Sequence, residues 1–306
     1  MHHAQVSIIA DSFSPEDIRL TTFQLRYWRP IHSELMTHRV FSRNAGSSRA
    51  RPSLAIAEQV INDPWGPLQW GSNKPGMQAG EELQGMDRNF AIGTWKDAAY
   101  AAGHRAKTML EYNVHKQVVN RILEPFTYID VVLTATDFAN WFALRNHPDA
   151  QPEIQDLARK MRAAMDASTP KLLKPGEWHL PYITEEDWGA AERFLQQGRV
   201  TGGKVTRKDV LQLVLRISVA RCARVSYKAF DGNVAPIEKD LGLYQQLLVS
   251  EPLHASPAEH QATPDVLEEV YITDQPEVRW RRPYLHGNFR GWIQYRKTLP
   301  NEFIAG

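Results

Sequence analysis

The sequence predicts an α+β fold in which helices outweigh strands, and three observations carry that expectation. Helical apolar periodicity recurs over several long stretches, whereas only three short runs are rich in β-branched and aromatic residues. No G-x-G-x-x-G follows a strand and no Walker loop occurs, which disfavours a doubly wound nucleotide-binding sheet. The 306 residues are enough for one large domain that buries about 75% of its unfolded surface without disulfides or metal.

Taken in order, Val6 to Ala10 and Leu20 to Trp28 read as strands, the second ending ahead of Pro30. Ser53 to Ile61 reads as a helix that stops before Pro64. A Gly-, Pro- and Trp-rich loop fills Pro64 to Met86. Ala98, Ala102, Met109, Tyr112, Val119 and Ile122 lie near helical spacing and predict one long helix from Thr94 to Leu123, ended by Pro125. Phe126 to Thr134 is the third strand, followed by helices near Asp137–Arg145 and Gln151–Ala167. Ser168 to Tyr182 is Pro-rich loop, Glu185 to Gln196 a short helix, and Gln196 to Arg207 a Gly-containing linker. Helices are expected over Asp209–Tyr227, Ile237–Val249 and Phe289–Lys297; in the last, Gly291–Lys297 reads as amphipathic.

Composition sets the function classes aside or leaves them open. With 36 Lys+Arg against 35 Asp+Glu the net charge is +1, which argues against a histone-like coat or a polybasic membrane binder. No apolar run approaches the roughly 18 residues of a membrane span. The N-terminal residues lack an export-signal pattern, so a cytoplasmic enzyme or binding protein is expected. One cysteine, Cys222, excludes an internal disulfide framework and a cysteine-rich zinc site. The charge is patterned, however. No acid occurs between Glu34 and Glu58, between Asp209 and Asp231, or between Glu277 and Glu302, while arginines gather in each gap. Such blocks are ordinarily solvated faces; interleaved with aromatics, they also suit a phosphorylated ligand.

The richest stretch is T-H-R-V-F-S-R-N-A-G-S-S-R, Thr37 to Arg49. Hydroxyls, an amide and backbone N–H groups around one glycine can cradle phosphate oxygens, and arginine adds bidentate charge-assisted bonds. His38 can donate to an anion or titrate. By residue chemistry alone, a basic surface loop competes with this reading.

This stretch resembles the signature of the flavin-dependent thymidylate synthases, R-H-R-x-x-S-x-N-x-x-S-x-R. His38, Arg39, Ser42, Asn44, Ser47 and Arg49 match, and Thr37 replaces the first Arg. Asp137 to Ile154 is similar to the family's N-F-x-x-L-R-x-x-x-x-A-Q-x-E-I segment at Asn140, Leu144, Arg145, Ala150, Gln151, Glu153 and Ile154. Arg121, in V-N-R-I-L-E-P, stands where the family places a nucleotide-binding Arg. Ser218–Tyr227 and Pro252–Thr263 look like the family's N-terminal A-A-R-V-S-Y and H-x-S-P-F-E-H elements, but here they follow the signature.

The resemblance therefore implies a small mixed or antiparallel sheet flanked by long helices, circularly permuted. It is read as a single catalytic domain over 1–306: a signature-bearing part (5–167), an insert and linker (168–208), the displaced block (209–275) and a C-terminal extension (276–306). The family's pattern is departed from at Thr37, at Ala45 (often Glu), at Thr134 and Thr136 (often Asn and Arg on the flavin), and at Ala258.

The same resemblance implies an FAD-dependent methyltransferase of dTMP biosynthesis. It would methylate deoxyuridylate at carbon 5, with methylenetetrahydrofolate as carbon donor and NADPH reducing the flavin. Ser47, Arg49, Arg121 and Arg145 are the implied deoxyuridylate holders, Arg145 also being catalytic. His38, Arg39, Asn44, Asn140, Ser226 and His260 are the implied FAD residues. A homotetramer with shared active sites is implied as well, with neither a membrane nor a stable nucleic-acid partner. Cys222, on an apolar-faced helix, is assigned to the core rather than to nucleophilic chemistry. No metal is expected: His254, Glu259 and His260 lack H-E-x-x-H spacing, and Pro257 blocks a regular helix through them. Two alternatives stay open: a related flavin- and folate-dependent pyrimidine-nucleotide hydroxymethylase, and a nucleic-acid-binding protein using the basic blocks.

Overall fold

The computed structural model describes residues 2–198, 204–225, 235–249, 251, 253–271, 276–300 and 302–303. Its elements are, in chain order, β1 (Gln5–Phe13), β2 (Arg19–Trp28), α1 (His32–Met36), β3 (Ser42–Ala45), α2 (Ser53–Asn62), α3 (Gly85–Glu111) and α4 (Lys116–Val119). There follow β4 (Tyr128–Ala135), α5 (Ala139–Arg145), α6 (Pro152–Ala167), β5 (Lys171–Leu172), α7 (Glu185–Gly198), α8 (Arg207–Arg224) and α9 (Ile237–Leu248). β6 (Ala262–Pro264), β7 (Leu267–Tyr271), β8 (Pro276–Trp280) and β9 (Trp292–Gln294) close the series. The fold is α+β, as expected.

The main sheet has the order β3-β4-β2-β1-β5, antiparallel throughout except for the β1–β5 edge. Its centre is the eight-residue β2–β4 ladder, which sets Phe23 opposite Leu133, Leu25 opposite Val131 and Tyr27 opposite Ile129. Side chains alternate across a strand, so these six share one face. That face is wholly buried and packs against Trp141 of α5 and Ile154, Leu157, Ala158 and Met161 of α6.

The opposite face is covered too, which is why β2 and β4 do not read as simple alternation. Val132 meets Cys222 and Val225 at the end of α8. Beside it runs a buried polar chain. Ser12 bonds Nδ1 of His179 at 2.9 Å, and His179 Nε2 bonds Thr22 at 2.7 Å. Thr22 bonds Thr134 at 2.7 Å, and Thr134 bonds Nδ1 of His260 at 2.8 Å. Each hydroxyl is satisfied internally, as burial demands.

α2, α3 and the 3-10 turn Asn120–Phe126 form a separate apolar cluster around Ile56, Val60, Leu123 and Phe126. α3 is 27 residues long and buries only Ala99, Gly103 and Ala106. Gly103 is required there, because a Cβ would collide with Ile61 of α2. The long helix thus begins at Gly85 and ends at Glu111, not Thr94 to Leu123. Asn113, with φ of +56°, breaks it, and Pro125 sits inside the later 3-10 turn.

The expected helix over Phe289–Lys297 is overturned. Gly291 takes φ of +73°, Trp292–Gln294 pairs with Ala262–Pro264 as β9 on β6, and only Tyr295–Thr298 coils, as a 3-10 turn. The pairing partner lies about 30 residues upstream, beyond the reach of local periodicity. The β7–β8 hairpin was likewise unread.

Two arginines of the middle acid-free block, Arg221 and Arg224, are paired with acids in space. Arg221, buried on α8, bonds both carboxylate oxygens of Asp187 from α7 and reaches Asp240 of α9. Arg224 bonds the same Asp240 at 2.6 Å. These arginines fasten α7, α8 and α9 together through carboxylates. Removing one partner of such a buried network costs about 3–5 kcal/mol.

The buried histidines set a pH dependence. Burial lowers His179 and His260 to about 3, and burial with Arg29 and Arg43 lowers His32 to about 4. The unfolded chain, with histidine near 6.5, then takes up protons first as pH falls. Stability is full above about pH 6.5 and declines below it, by roughly 1 kcal/mol per histidine between pH 7 and 5.5. Urea unfolding at the two pH values should show this loss, and a His179→Gln, His260→Gln chain should lose most of the slope. A flat profile in the unsubstituted chain would contradict the assignment.

Candidate active site

The signature segment leaves α1, runs along the sheet edge as β3 and ends in the turn Ser48–Ala50. β3 is held by β4 in the register Ser42↔Thr134 to Ala45↔Val131. Gly46 extends the contact, donating to the Asp130 carbonyl at 2.7 Å. A Cβ at Gly46 would press on the carbonyls of Asp130 and Val225 at 3.3 and 3.4 Å, so glycine lets strand and α8 meet closely.

At the entry to β3, His38 is buried between Phe41, stacked at 5.7 Å, and the edge of Trp141 at 4.9 Å. Its Nε2 accepts from Arg145 Nε at 3.2 Å. Arg145 also donates Nη1 to Glu34 at 2.8 Å and lies 3.5 Å from the Thr37 hydroxyl through Nη2. Burial, then the charges of Arg145 and Arg43, lowers the His38 pKa. The imidazole is therefore neutral at pH 7, and the geometry assigns its proton to Nδ1. Thr37, where the signature has Arg, closes the α1 turn by donating to the Glu34 carbonyl at 2.7 Å.

At the exit, Asn120 donates to the carbonyls of Ser48 at 2.6 Å and Arg51 at 3.2 Å. This brings the turn that carries Ser47 and Arg49 beside Arg121. Arg49 is exposed with no partner among the described residues, and Arg121 is exposed and pairs with Glu124 at 2.9 Å. The structure thus joins His38 to Arg145 at one end of β3 and Ser47, Arg49 and Arg121 at the other. The strand between them spans about 13 Å.

The implied flavin residues separate. Arg39 and Asn140 are exposed and partnerless among the described residues. Asn44 is buried, donating to the Cys222 carbonyl at 3.0 Å and accepting from Ser256 at 3.1 Å. His260 is fully buried against Thr134, with its Nε2 unpartnered. Ser226 lies outside the described residues.

The electrostatics of residues 29–51 differ from those elsewhere. Arg19, Arg26, Arg145, Arg221 and Arg224 all end on carboxylates. Among the described residues, none of Arg29, Arg39, Arg43, Arg49 and Arg51 makes an ion pair. Arg43 donates to the carbonyls of Leu35, Met36 and His38, and Arg29 to those of Gly46 and Tyr128. Arg51 reaches the Tyr128 hydroxyl at 3.2 Å and stacks over its ring. Burial lowers the pKa of Arg29 and Arg43 despite Glu124 and Glu259 respectively raising it. Guanidiniums held on carbonyls rather than in ion pairs can give bidentate charge-assisted bonds to a phosphate or diphosphate. The arrangement therefore fits such a group.

Sequence reading missed Glu34, the orienting partner of Arg145, which lies 111 residues away in the chain. It also missed Arg29, which lies ahead of the first acid-free block and whose lack of an ion pair among the described residues is visible only in three dimensions.

Residues 12–171, more than half of the chain, match the family model described as thymidylate synthase complementing protein. Among solved structures, the chain is similar to the UMP/dUMP methylase PolB from Streptomyces cacaoi. The form bound with 5-Br UMP is 17% identical with a TM-score of 0.44, covering 54% of this chain and 89% of that one. The form bound with 5-Br dUMP gives the same identity and TM-score, covering 54% and 90%. No curated protein matches.

Cys222 is fully buried, its thiol raised far above the usual range by burial, with Gln261 Nε2 3.5 Å from Sγ. It is core, as the sequence indicated. Ellman's reagent should find no reactive thiol in the folded chain and one after denaturation. Rapid labelling of the folded chain would contradict this.

Proposed function

This chain belongs to the thymidylate synthase complementing protein family, a flavin-dependent family, and on that premise we propose that it methylates deoxyuridylate at carbon 5. Methylenetetrahydrofolate is the proposed carbon donor, and NADPH the reductant. FAD, when bound and reduced, supplies the hydride that completes the methyl group. The observation that carries this reading is the set of unpaired guanidiniums along residues 29–51, placed beside the Arg145–His38–Glu34 cluster.

In that reading Ser47, Arg49 and Arg121 hold the nucleotide phosphate and sugar. Arg145 keeps a fixed positive charge where negative charge develops on the uracil ring, an interaction worth most in a water-excluded site. Glu34 and neutral His38 orient it, leaving its Nη2 the least engaged nitrogen. Because His38 carries no charge, it directs Arg145 without repelling it. Arg39 and Asn140 are open to meet FAD directly. Asn44, His260 and Ser226 are assigned to the flavin on the family resemblance; as placed, Asn44 and His260 serve by holding β3, β4 and the 254–263 segment together. The contacts of Asn44 with Cys222 and Ser256 also support reading the displaced block as a circular permutation that keeps its spatial place. Exposed Met86, Phe90 and Tyr100 on α3 suit the proposed homotetramer with shared active sites.

A second reading has its own observation. Thr134 is buried and committed to Thr22 and His260, and Thr136 accepts from the backbone N–H of Arg290, so neither stands as the Asn and Arg that the family often places on the flavin. A flavin- and folate-dependent hydroxymethylase would suit such altered contacts.

Incubation with deoxyuridylate, methylenetetrahydrofolate, FAD and NADPH should yield thymidylate. A hydroxymethyl product would select the second reading; steeply salt-dependent nucleic-acid binding with no flavin binding would exclude both. Arg145→Met should lower kcat by about 100-fold or more. Arg49→Ala should raise KM for deoxyuridylate by on the order of tenfold, as expected for one lost charge-assisted bond.

A further inference from the structure

The C-terminal segment is latched onto the signature strand. Asn288 donates to the Val40 carbonyl at 2.8 Å and exchanges hydrogen bonds with the Ser42 hydroxyl at 3.1 Å. Gln294 Nε2, buried on β9, donates to the side-chain Oδ1 of Asn288 at 2.9 Å and to the Glu259 carbonyl at 3.2 Å, and lies 3.3 Å from the Ser42 hydroxyl. Trp292, fully buried, donates its indole N–H to the Ile18 carbonyl at 3.1 Å. Gly287 and Gly291, with φ of +61° and +73°, bend the chain on either side. The segment is thus fixed on both flanks by buried bonds.

What this latch presents is Arg290. Its backbone N–H donates to the Thr136 hydroxyl at 3.1 Å, so the residue is tied to the β4–α5 connection. Its side chain is exposed and has no partner among the described residues. Asn288, two residues earlier, bonds Val40, the residue after Arg39, and Thr136 leads into α5, which carries Asn140. The two bonds thus fasten the backbone around Arg290 to the chain segments that carry Arg39 and Asn140, both exposed and without a partner among the described residues. An arginine free in solution needs no such scaffold; one held in register between two site segments does.

We propose that Arg290 is a phosphate-holding residue of this site, contributed by the C-terminal segment. This rests on the reading that the site binds a phosphorylated nucleotide or flavin. The shared chemistry is a phosphate ester, supplied either by the FAD diphosphate or by the deoxyuridylate monophosphate.

The test uses the full chain with Arg290→Gln, Arg290→Lys and the control Arg279→Gln, whose exposed arginine pairs with Glu277 on β8. FAD affinity is read by flavin fluorescence and deoxyuridylate affinity by titration calorimetry, with thermal midpoints as the check on folding. Arg290→Gln should weaken one of the two ligands at least tenfold at an unchanged midpoint, Arg290→Lys should keep most of the affinity, and the control should lose none. The ligand that weakens identifies the phosphate. Asn288→Ala should weaken the same ligand while leaving Arg290 in place. Unchanged affinity for both ligands in Arg290→Gln overturns the proposal and leaves the site reading intact. Failure of the unsubstituted chain to bind either ligand overturns the site reading and the proposal together.

Discussion

Thr22 and Thr134 face one another across the β2–β4 ladder, whose apolar face is wholly buried and whose other face is covered around these two threonines. Nearly everything else is arranged by this double burial. On one face the apolar row from Phe23 to Ala135 seats α5 and α6, which fixes where Arg145 emerges. On the other, hydroxyls cut off from water must find partners, and they find His179 and His260. Those two histidines come from segments far along the chain, so satisfying two threonines also docks residues 173–182 and 254–263. β3 then needs only the free edge of β4 to bring the signature alongside.

Charge follows a different logic from packing. The chain is nearly neutral, and most of its buried or half-buried arginines end on carboxylates. Along residues 29–51 they end on carbonyls, on hydroxyls or, among the described residues, on nothing. A carbonyl orients a guanidinium without cancelling its charge, so the segment keeps positive potential while staying ordered. His38 contributes by being neutral, as its burial beside Arg145 and Arg43 ensures. The positive character of the segment is thus a matter of ion pairs that its arginines do not make among the described residues.

Much of this was legible locally. β1, β2, β4, α2, α5, α6, α7 and α9 lie where periodicity and proline punctuation put them, and the α+β class follows from their proportions. The T-H-R-V-F-S-R-N-A-G-S-S-R segment stood out through its resemblance to the family signature, since residue type alone left a basic surface loop open. What local pattern could not show were pairings across distance. The stretch Gly291–Gln294 has residues compatible with a helix, yet the free edge of β6 and the positive φ of Gly291 make it a strand. The arginine block on α8 looked like ligand-facing charge because its acids, Asp187 and Asp240, come from the two neighbouring helices.

By itself, then, the sequence determined the class of fold, the family, the core assignment of Cys222 and the segment on which the chemistry rests. These depend on residue type and short spacing, which act within a turn or a strand. Tertiary structure decided which arginines remain unpaired, that Arg145 is oriented by Glu34 and His38, and that the C-terminal segment reaches the signature at Val40 and Ser42. Those outcomes depend on which groups meet after burial. Pair energies at a few ångströms are set by neighbours more than a hundred residues away, and no local pattern encodes them.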